Sequence, residues 1–374
     1  MKLVDKEKTR LIVDLEKVAH NYRYGMKLAN GAKVAGVIKA DAYGHGAVSV
    51  AKRLAEEGCD FFAVSNINEA IELRDSGIKG LILILGYVLD DYIENAIQED
   101  ISLALDSSEH LKKIIEIASG RPVKIHIKAD TGMNRTGFNA KGDNLCDDLI
   151  LASELIKNNK NIICEGAFTH LATADVEGGD DFALLQAKRL KNTVSKLREI
   201  GINPQIVHLS NSAGLAKFSS FGLDAVRMGI SLYYGYSTDD KNFEHTTSFK
   251  TKVINVHEMK KGEGVSYGQK FVADKDMKIA IIGAGFADGL CRSLSYGKGS
   301  VIIRGERYPI IGLICMDMAM IDPMGKEINV GDDVTIFGED GGDIITVEEI
   351  AKAAGRTPYE IICGISRRVP RIYK

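Results

Sequence analysis

The sequence predicts an α/β protein, an N-terminal (β/α)8 TIM-like barrel followed by a mainly β C-terminal domain. Three observations carry this. Short apolar runs alternate with amphipathic helical segments as far as about Tyr236, and the runs number eight. Beyond that point the texture changes to period-two segments separated by Gly-, Asp- and Pro-bearing turns. Finally, 374 residues exceed one typical domain, although a barrel can take up most of them. Eight strands alternating with helices, each crossover right-handed, close most simply into a barrel; a doubly wound open sheet is the alternative.

The elements follow in order. "VAGVIK", "FFAVSN", "LILILG", "ISLAL", "VKIHIKAD", "CEGAFTH", "IVHLSN" and "AVRMGISLYY" are β-branched or aromatic runs of the length of strands buried on both faces. Helical periodicity marks "VDLEKVAHNYRYGMKLA", "EHLKKIIEIAS" and "DFALLQAKRLKNTVSKLREI". Later come the strand patterns "TSFKTKVINVHEM", "KIAIIGAG", "SVIIRGERYPIIG" and "DDVTIFG", a hairpin turn at "GEDGGD", helical "VEEIAKAAG" and "PYEIICGIS", and a last strand in "RRVPRIYK". The expected domains are 12–240 and 241–374, with residues 1–11 joining the second and the boundary near Ser237 to His245.

Composition narrows the function classes. A net charge of −3 offers no reason to expect nucleic acid or an anionic membrane. The start "MKLVDKEKTR" is charged where a signal peptide needs an apolar core, and "LILILGYVL" is too short to span a bilayer. Six cysteines without a CxxC pair suit reduced thiols in the cytoplasm, and no cluster has metal-ligand spacing.

Barrel active sites gather at the C-terminal ends of the strands. Strand one ends in Lys39, strand five in Lys128 and Asp130 before a loop holding Arg135, strand six in His170, and strand eight carries Arg227. Ser212 to Gly214, and Gly229 with Ile230, fall in the loops after strands seven and eight, where backbone N–H groups commonly bind phosphate. A rim lysine facing a phosphate site suggests pyridoxal 5'-phosphate held as a Schiff base, which needs an amine whose pKa is lowered from about 10.4 by burial among cations. Lys39 is then the expected anchor, and the small residues after it leave room for the pyridine ring.

From first strand to last the chain resembles the alanine racemases, fold-type III pyridoxal-phosphate enzymes. "VIKADAYGHG", "KADTGMNRTGF", "FTHLATAD", "SNSAG", "VRMGISLYYG", "VSYG", "ADG", "ICMDM" and "RVPR" stand in that family's order. The resemblance implies a cytoplasmic enzyme turning L-alanine into D-alanine for peptidoglycan precursors by a two-base mechanism. Lys39 would serve one face of the α-carbon, and Tyr267 from the second subunit of a homodimer with shared sites would serve the other. Arg227 would face the pyridine nitrogen and His170 would bond to Tyr267. Tyr43, Ser212, Gly229 and Ile230 would hold the phosphate. Arg135 and the backbone near Met316 would receive the substrate carboxylate, and Lys128 is carbamylated in many relatives.

Three departures from the family pattern bear on the substrate. Phe286 stands for the usual tyrosine of "GYADG", Leu313 for the arginine before "ICMD", and Arg367 for the tyrosine of "ISYRVPR", which touches the phosphate and the side-chain pocket; Arg367 would replace its phosphate contact with a charge-assisted bond or turn into the pocket. Serine or another side chain is therefore the alternative to alanine. A pyridoxal-phosphate homeostasis protein without turnover would lack "VSYG" and the β-rich domain. A fold-type III decarboxylase would have a cysteine in place of Tyr267. "GAGFADG" puts its third glycine one place late for a dinucleotide fingerprint.

Overall fold

The computed structural model of the protein describes residues 7–234 and 240–374. The expected boundary at Ser237 and the first six residues of the chain thus lie outside the described residues. Two compact units emerge, one of Lys17–Ala42 with Gly46–Glu244, the other of the described residues up to Glu16, Tyr43–His45 and His245–Lys374.

The first unit is a closed parallel barrel. Its strands are β1 (Lys33–Val37), β2 (Phe61–Val64), β3 (Leu81–Ile84), β4 (Ser102–Leu105), β5 (Val123–Asp130), β6 (Ile162–Phe168), β7 (Ile206–His208) and β8 (Ala225–Met228). Each pairs in parallel with the next, and β8 returns to β1 through Val226↔Val34, which rules out the open sheet. All eight expected strands are present. Their runs lack a polar alternation because both faces are covered, and "FFAV" and "SLAL" are buried throughout. Ala35, Phe61, Leu83 and Ala225 form one layer of the interior. On the helices, side-chain caps set the chain's direction as it leaves a strand end. Asn66 accepts from Glu69 N, Ser107 from His110 N and Asn211 from Gly214 N.

In the second unit the 13-residue strand Thr247–Met259 is central and alternates buried and half-buried residues along most of its length. It pairs antiparallel with Arg10–Val13, Met277–Ile282 and Asp333–Asp340. The "GEDGGD" turn joins Asp333–Asp340 to Asp343–Ile345 through Gly341 and Gly342, both at positive φ, as a two-residue hairpin requires. "KIAIIG" lies in an antiparallel strand, and a 3-10 turn at Phe286–Asp288 follows it, so no dinucleotide-binding unit forms there.

Candidate active site

Arg227 organises the barrel's upper end. It is 3% exposed, and its guanidinium is fixed by four acceptors. Nη1 donates to His208 Nδ1 at 2.7 Å, and Nη2 to Thr169 O, Leu209 O and His170 Nδ1 at 2.8, 3.1 and 3.2 Å. A donor facing each Nδ1 leaves that nitrogen bare, so both neutral imidazoles carry their proton on Nε2. His208 Nε2 then donates to His126 Nδ1 at 3.0 Å, and His126 Nε2 to Glu165 Oε2 at 3.1 Å. Ser102 Oγ donates to the same oxygen at 2.5 Å. Burial, then the Arg227 cation, hold His170 and His208 well below the ordinary imidazole range. Burial likewise lowers His126, against the pull of Glu165. The result is a row of neutral rings with one direction of donation.

The other cations surround this row. Burial, and next Arg135, bring the Lys128 amine down to about 8, with Arg227 and Lys39 adding to the repulsion. Its Nζ donates to Leu85 O at 3.2 Å and lies 5.6 Å from the Phe168 ring centroid. The fields of Arg227, Arg135, Lys39 and Lys128 all act on His170. The loop carrying Arg135 is shaped by Asp130, whose Oδ1 accepts from Gly132 N and Asn134 N, both at 3.0 Å.

Strand pairing of β1 stops at Val37, and Lys39 opens a turn rather than closing the strand. Ala40, Asp41, Ala42 and Tyr43 lie at φ between +53° and +56°, and Gly44 follows at +85°. Left-handed backbone costs an L-residue roughly 1–2 kcal/mol, so strain is concentrated in the residues just after the candidate lysine. Local bonds hold the turn. Ala42 N donates to Ile38 O, Gly46 N to Asp41 O, and Ala47 N to Asp41 Oδ1. The left-handed course of "KADAYG" was not legible in the spacing of its residues.

The loops after β7 and β8 meet as expected. Ser212 Oγ accepts from Gly229 N, Ser231 N and Ser231 Oγ at 3.1, 3.2 and 2.9 Å, beside the first turn of the helix Ser212–Phe218. Ser212, Gly229, Ile230 and Ser231 are all buried, making a polar cradle of donors that an anion's oxygen can also engage.

The barrel unit thus brings together Lys39, Lys128, Arg135, His170, Ser212, Arg227, Gly229 and Ile230. The remaining candidates belong to the second unit. Tyr43 is buried, its ring centroid 6.1 Å from that of Tyr359. Tyr267 is 68% exposed on the 3-10 turn Tyr267–Gln269, after Ser266 at φ +63°. Ser266 Oγ donates to Leu313 O at 2.7 Å, and Tyr267, Val265, Cys315 and Met320 line a cavity of about 730 Å³. Met316 is exposed, its carbonyl receiving Ala287 N at 3.0 Å. Arg367 is exposed and makes no hydrogen bond or ion pair among the described residues. Its neighbour Arg368 bonds Asp288 and Asp317 at 2.8 Å each. Sequence reasoning missed His126, Glu165 and His208; their signal was a polar residue inside an otherwise apolar strand.

The family described as "Alanine racemase, N-terminal domain" matches residues 13–237, and "Alanine racemase, C-terminal domain" matches 246–373. Alanine racemase 2 of Caldanaerobacter subterraneus is 40% identical, over 98% of this chain and 94% of its own. The alanine racemase of Methanococcus maripaludis is 39% identical, over 96% and 97%. The solved structure of the Clostridium difficile 630 alanine racemase superposes with a TM-score of 0.90 at 39% identity, over 98% of this chain and 96% of its own. That of E. faecalis gives 0.90 at 31%, over 99% of each chain. Fold, rim and relatives define a barrel enzyme of the racemase class, with a β-rich second unit. The chain belongs to the alanine racemase family.

Proposed function

We propose that this chain interconverts L- and D-alanine with pyridoxal 5'-phosphate, as a cytoplasmic homodimer with shared active sites that supplies peptidoglycan precursors. The observation that carries the reading is the convergence of Lys39, Lys128, Arg135 and Arg227 on His170 beside the Ser212 cradle. That donor set fits the cofactor. Hydroxyl and N–H groups of Ser212, Gly229 and Ile230 suit its phosphate, and the cations suit its phenolate and the substrate carboxylate. Bound there, pyridoxal phosphate supplies an electron sink for the pair left on an amino acid's α-carbon when its proton departs.

The protein's residues do the rest. Lys39 would anchor the cofactor and carry the proton on one face of the α-carbon; Tyr267 of a second copy would carry it on the other. His170, with its proton on Nε2, would donate to the Tyr267 oxygen and orient it. Arg227 would face the pyridine nitrogen, and a guanidinium, which keeps its proton, would leave that nitrogen unprotonated. Tyr43 adds a phosphate contact, and Arg135 with the backbone near Met316 orients the carboxylate. The Lys128 amine, near 8, is nucleophilic enough to take up CO2 with loss of a proton; the resulting carbamate would turn repulsion from Arg135 into attraction. Lys39→Ala is expected to abolish racemisation. Tyr267→Ala should slow α-proton exchange in D2O for one enantiomer far more than for the other, and mixing the two inactive variants should restore activity. Equal slowing of both enantiomers would overturn the two-base reading.

A second reading concerns the side chain accepted. Arg367 is exposed without a partner among the described residues, so its donors are available to a hydroxyl-bearing substrate. Arg367→Tyr should keep alanine racemisation and lower the serine-to-alanine rate ratio; an unchanged or higher ratio would move specificity to Phe286 and Leu313.

A further inference from the structure

We infer that Glu69 is a positioning residue that sets where the chain turns left-handed and so fixes Lys39 at the barrel rim. Glu69 is the third residue of the helix Ile67–Asp75, and its own N–H is received by the Asn66 cap at 3.1 Å. A carboxylate at this position ordinarily reaches back to the cap's N–H. Here it passes the cap: Oε2 accepts from Ser65 N and Ser65 Oγ at 2.7 and 2.8 Å, and Oε1 accepts from Ala40 N at 2.7 Å. One side chain thus ties the residue following β2 to the residue following Lys39. The ladder between β1 and β2 makes its last bond from Ile38 N to Ala63 O at 3.0 Å. Lys39 therefore lies between two anchored amides, one held by the sheet and the next by Glu69. The second is the first residue with positive φ, where strain would otherwise draw the chain back to ordinary backbone.

The geometry gives an isosteric test. Three donors converge on the two oxygens of Glu69, and a glutamine offers only one oxygen. Whichever way its amide turns, an NH2 group faces a backbone N–H. The effect on turnover rests on Lys39 acting as proposed above, whereas the effect on the backbone does not. Cofactor-loaded Glu69→Gln and Ser65→Ala are compared with the parent by hydrogen exchange with fragment mass spectrometry over residues 38–46, thermal melting, and alanine kcat and KM. In Glu69→Gln the Ala40 amide should exchange at least about tenfold faster, since hydrogen bonds to charged acceptors are among the stronger ones. Its kcat should fall about 10- to 100-fold with KM within about threefold, as for a slightly misplaced reacting group. Ser65→Ala, which removes the hydroxyl that donates to Glu69 and accepts from Asn66 Nδ2 but keeps both backbone donors, should keep kcat within about twofold. If Glu69→Gln does not fold, Glu69→Asp, one methylene short, is expected to show the same pattern. Parent-like exchange and kcat in the Glu69 variant would overturn the inference. So would an equal loss in Ser65→Ala, which marks general destabilisation. A parent that does not racemise alanine, with Ala40 still loosened by Glu69→Gln, would remove the functional reading and leave the positioning role standing.

Discussion

Gly166 shows how little room the barrel leaves around its polar row. A Cβ at this position in β6 would lie 2.3 Å from His126 Nδ1 and 2.6 Å from Ile206 O. The imidazole cannot retreat, because both its nitrogens are engaged, by His208 and by Glu165. Gly166→Ala is therefore expected to destabilise the fold by about 1–3 kcal/mol, the usual cost of overpacking, measured as a lower urea midpoint at unchanged slope. The same substitution should reduce kcat, because the displaced row ends at Arg227. Individual residues were unevenly legible. Lys39, Lys128 and Arg227 stood out as cations at strand ends, while a glycine inside a strand gave no hint that a histidine fills its space.

Among the elements, the left-handed turn Lys39–Gly44 departs furthest from what propensity suggests. Of its non-glycine residues only aspartate is enriched at positive φ, alanine and tyrosine are not, and "KADAYG" reads equally well as an ordinary loop. Ala40 is exposed, so substitution there tests backbone strain with little change in packing. Ala40→Gly should raise stability by roughly 1 kcal/mol, since glycine adopts φ of about +53° without the Cβ penalty. Ala40→Val should lower it by more than about 1 kcal/mol, because β-branched side chains tolerate that region least. Urea titration of both variants checks the pair; equal stabilities would mean that the turn is not strained. The other elements were well read, including the hairpin at Gly341–Gly342 and the long strand Thr247–Met259, since period and turn residues are local properties.

For the molecule as a whole, three neutral histidines, buried His126 and His208 and half-buried His170, set the acid limit. His126, His170 and His208 are held below the ordinary value by burial, opposed at His126 by Glu165 and reinforced at the other two by Arg227. The unfolded chain protonates these rings below about pH 6.5 while the folded chain does not, so the unfolded state binds more protons and stability falls with acid. Each group contributes up to about 1.4 kcal/mol per pH unit between its unfolded and folded values. The urea midpoint should thus be nearly flat above about pH 7 and drop steeply from about pH 6 to 5. At lower pH Glu165 adds to the loss. Burial pushes its pKa up, but hydrogen bonds from His126 and Ser102 hold it lower overall, and that stabilisation disappears as its carboxylate protonates. A midpoint independent of pH between 7 and 5 would contradict the neutral row.

The sequence by itself determined the order and number of barrel strands, the change to β texture and the placement of cations at strand ends. These depend on periodicity and on neighbours a few residues apart. Tertiary structure decided what those residues do to one another. The donation from Arg227 through His208 and His126 to Glu165 links β8, β7, β5 and β6, and its partners stand up to 82 residues apart. Its direction follows from a guanidinium that only donates at one end of the row and a carboxylate that only accepts at the other. The turn after Lys39 is likewise a tertiary outcome. Of its non-glycine residues only aspartate is enriched at positive φ, and the bond from Ala40 N to Glu69 exists only because β1 and β2 lie side by side.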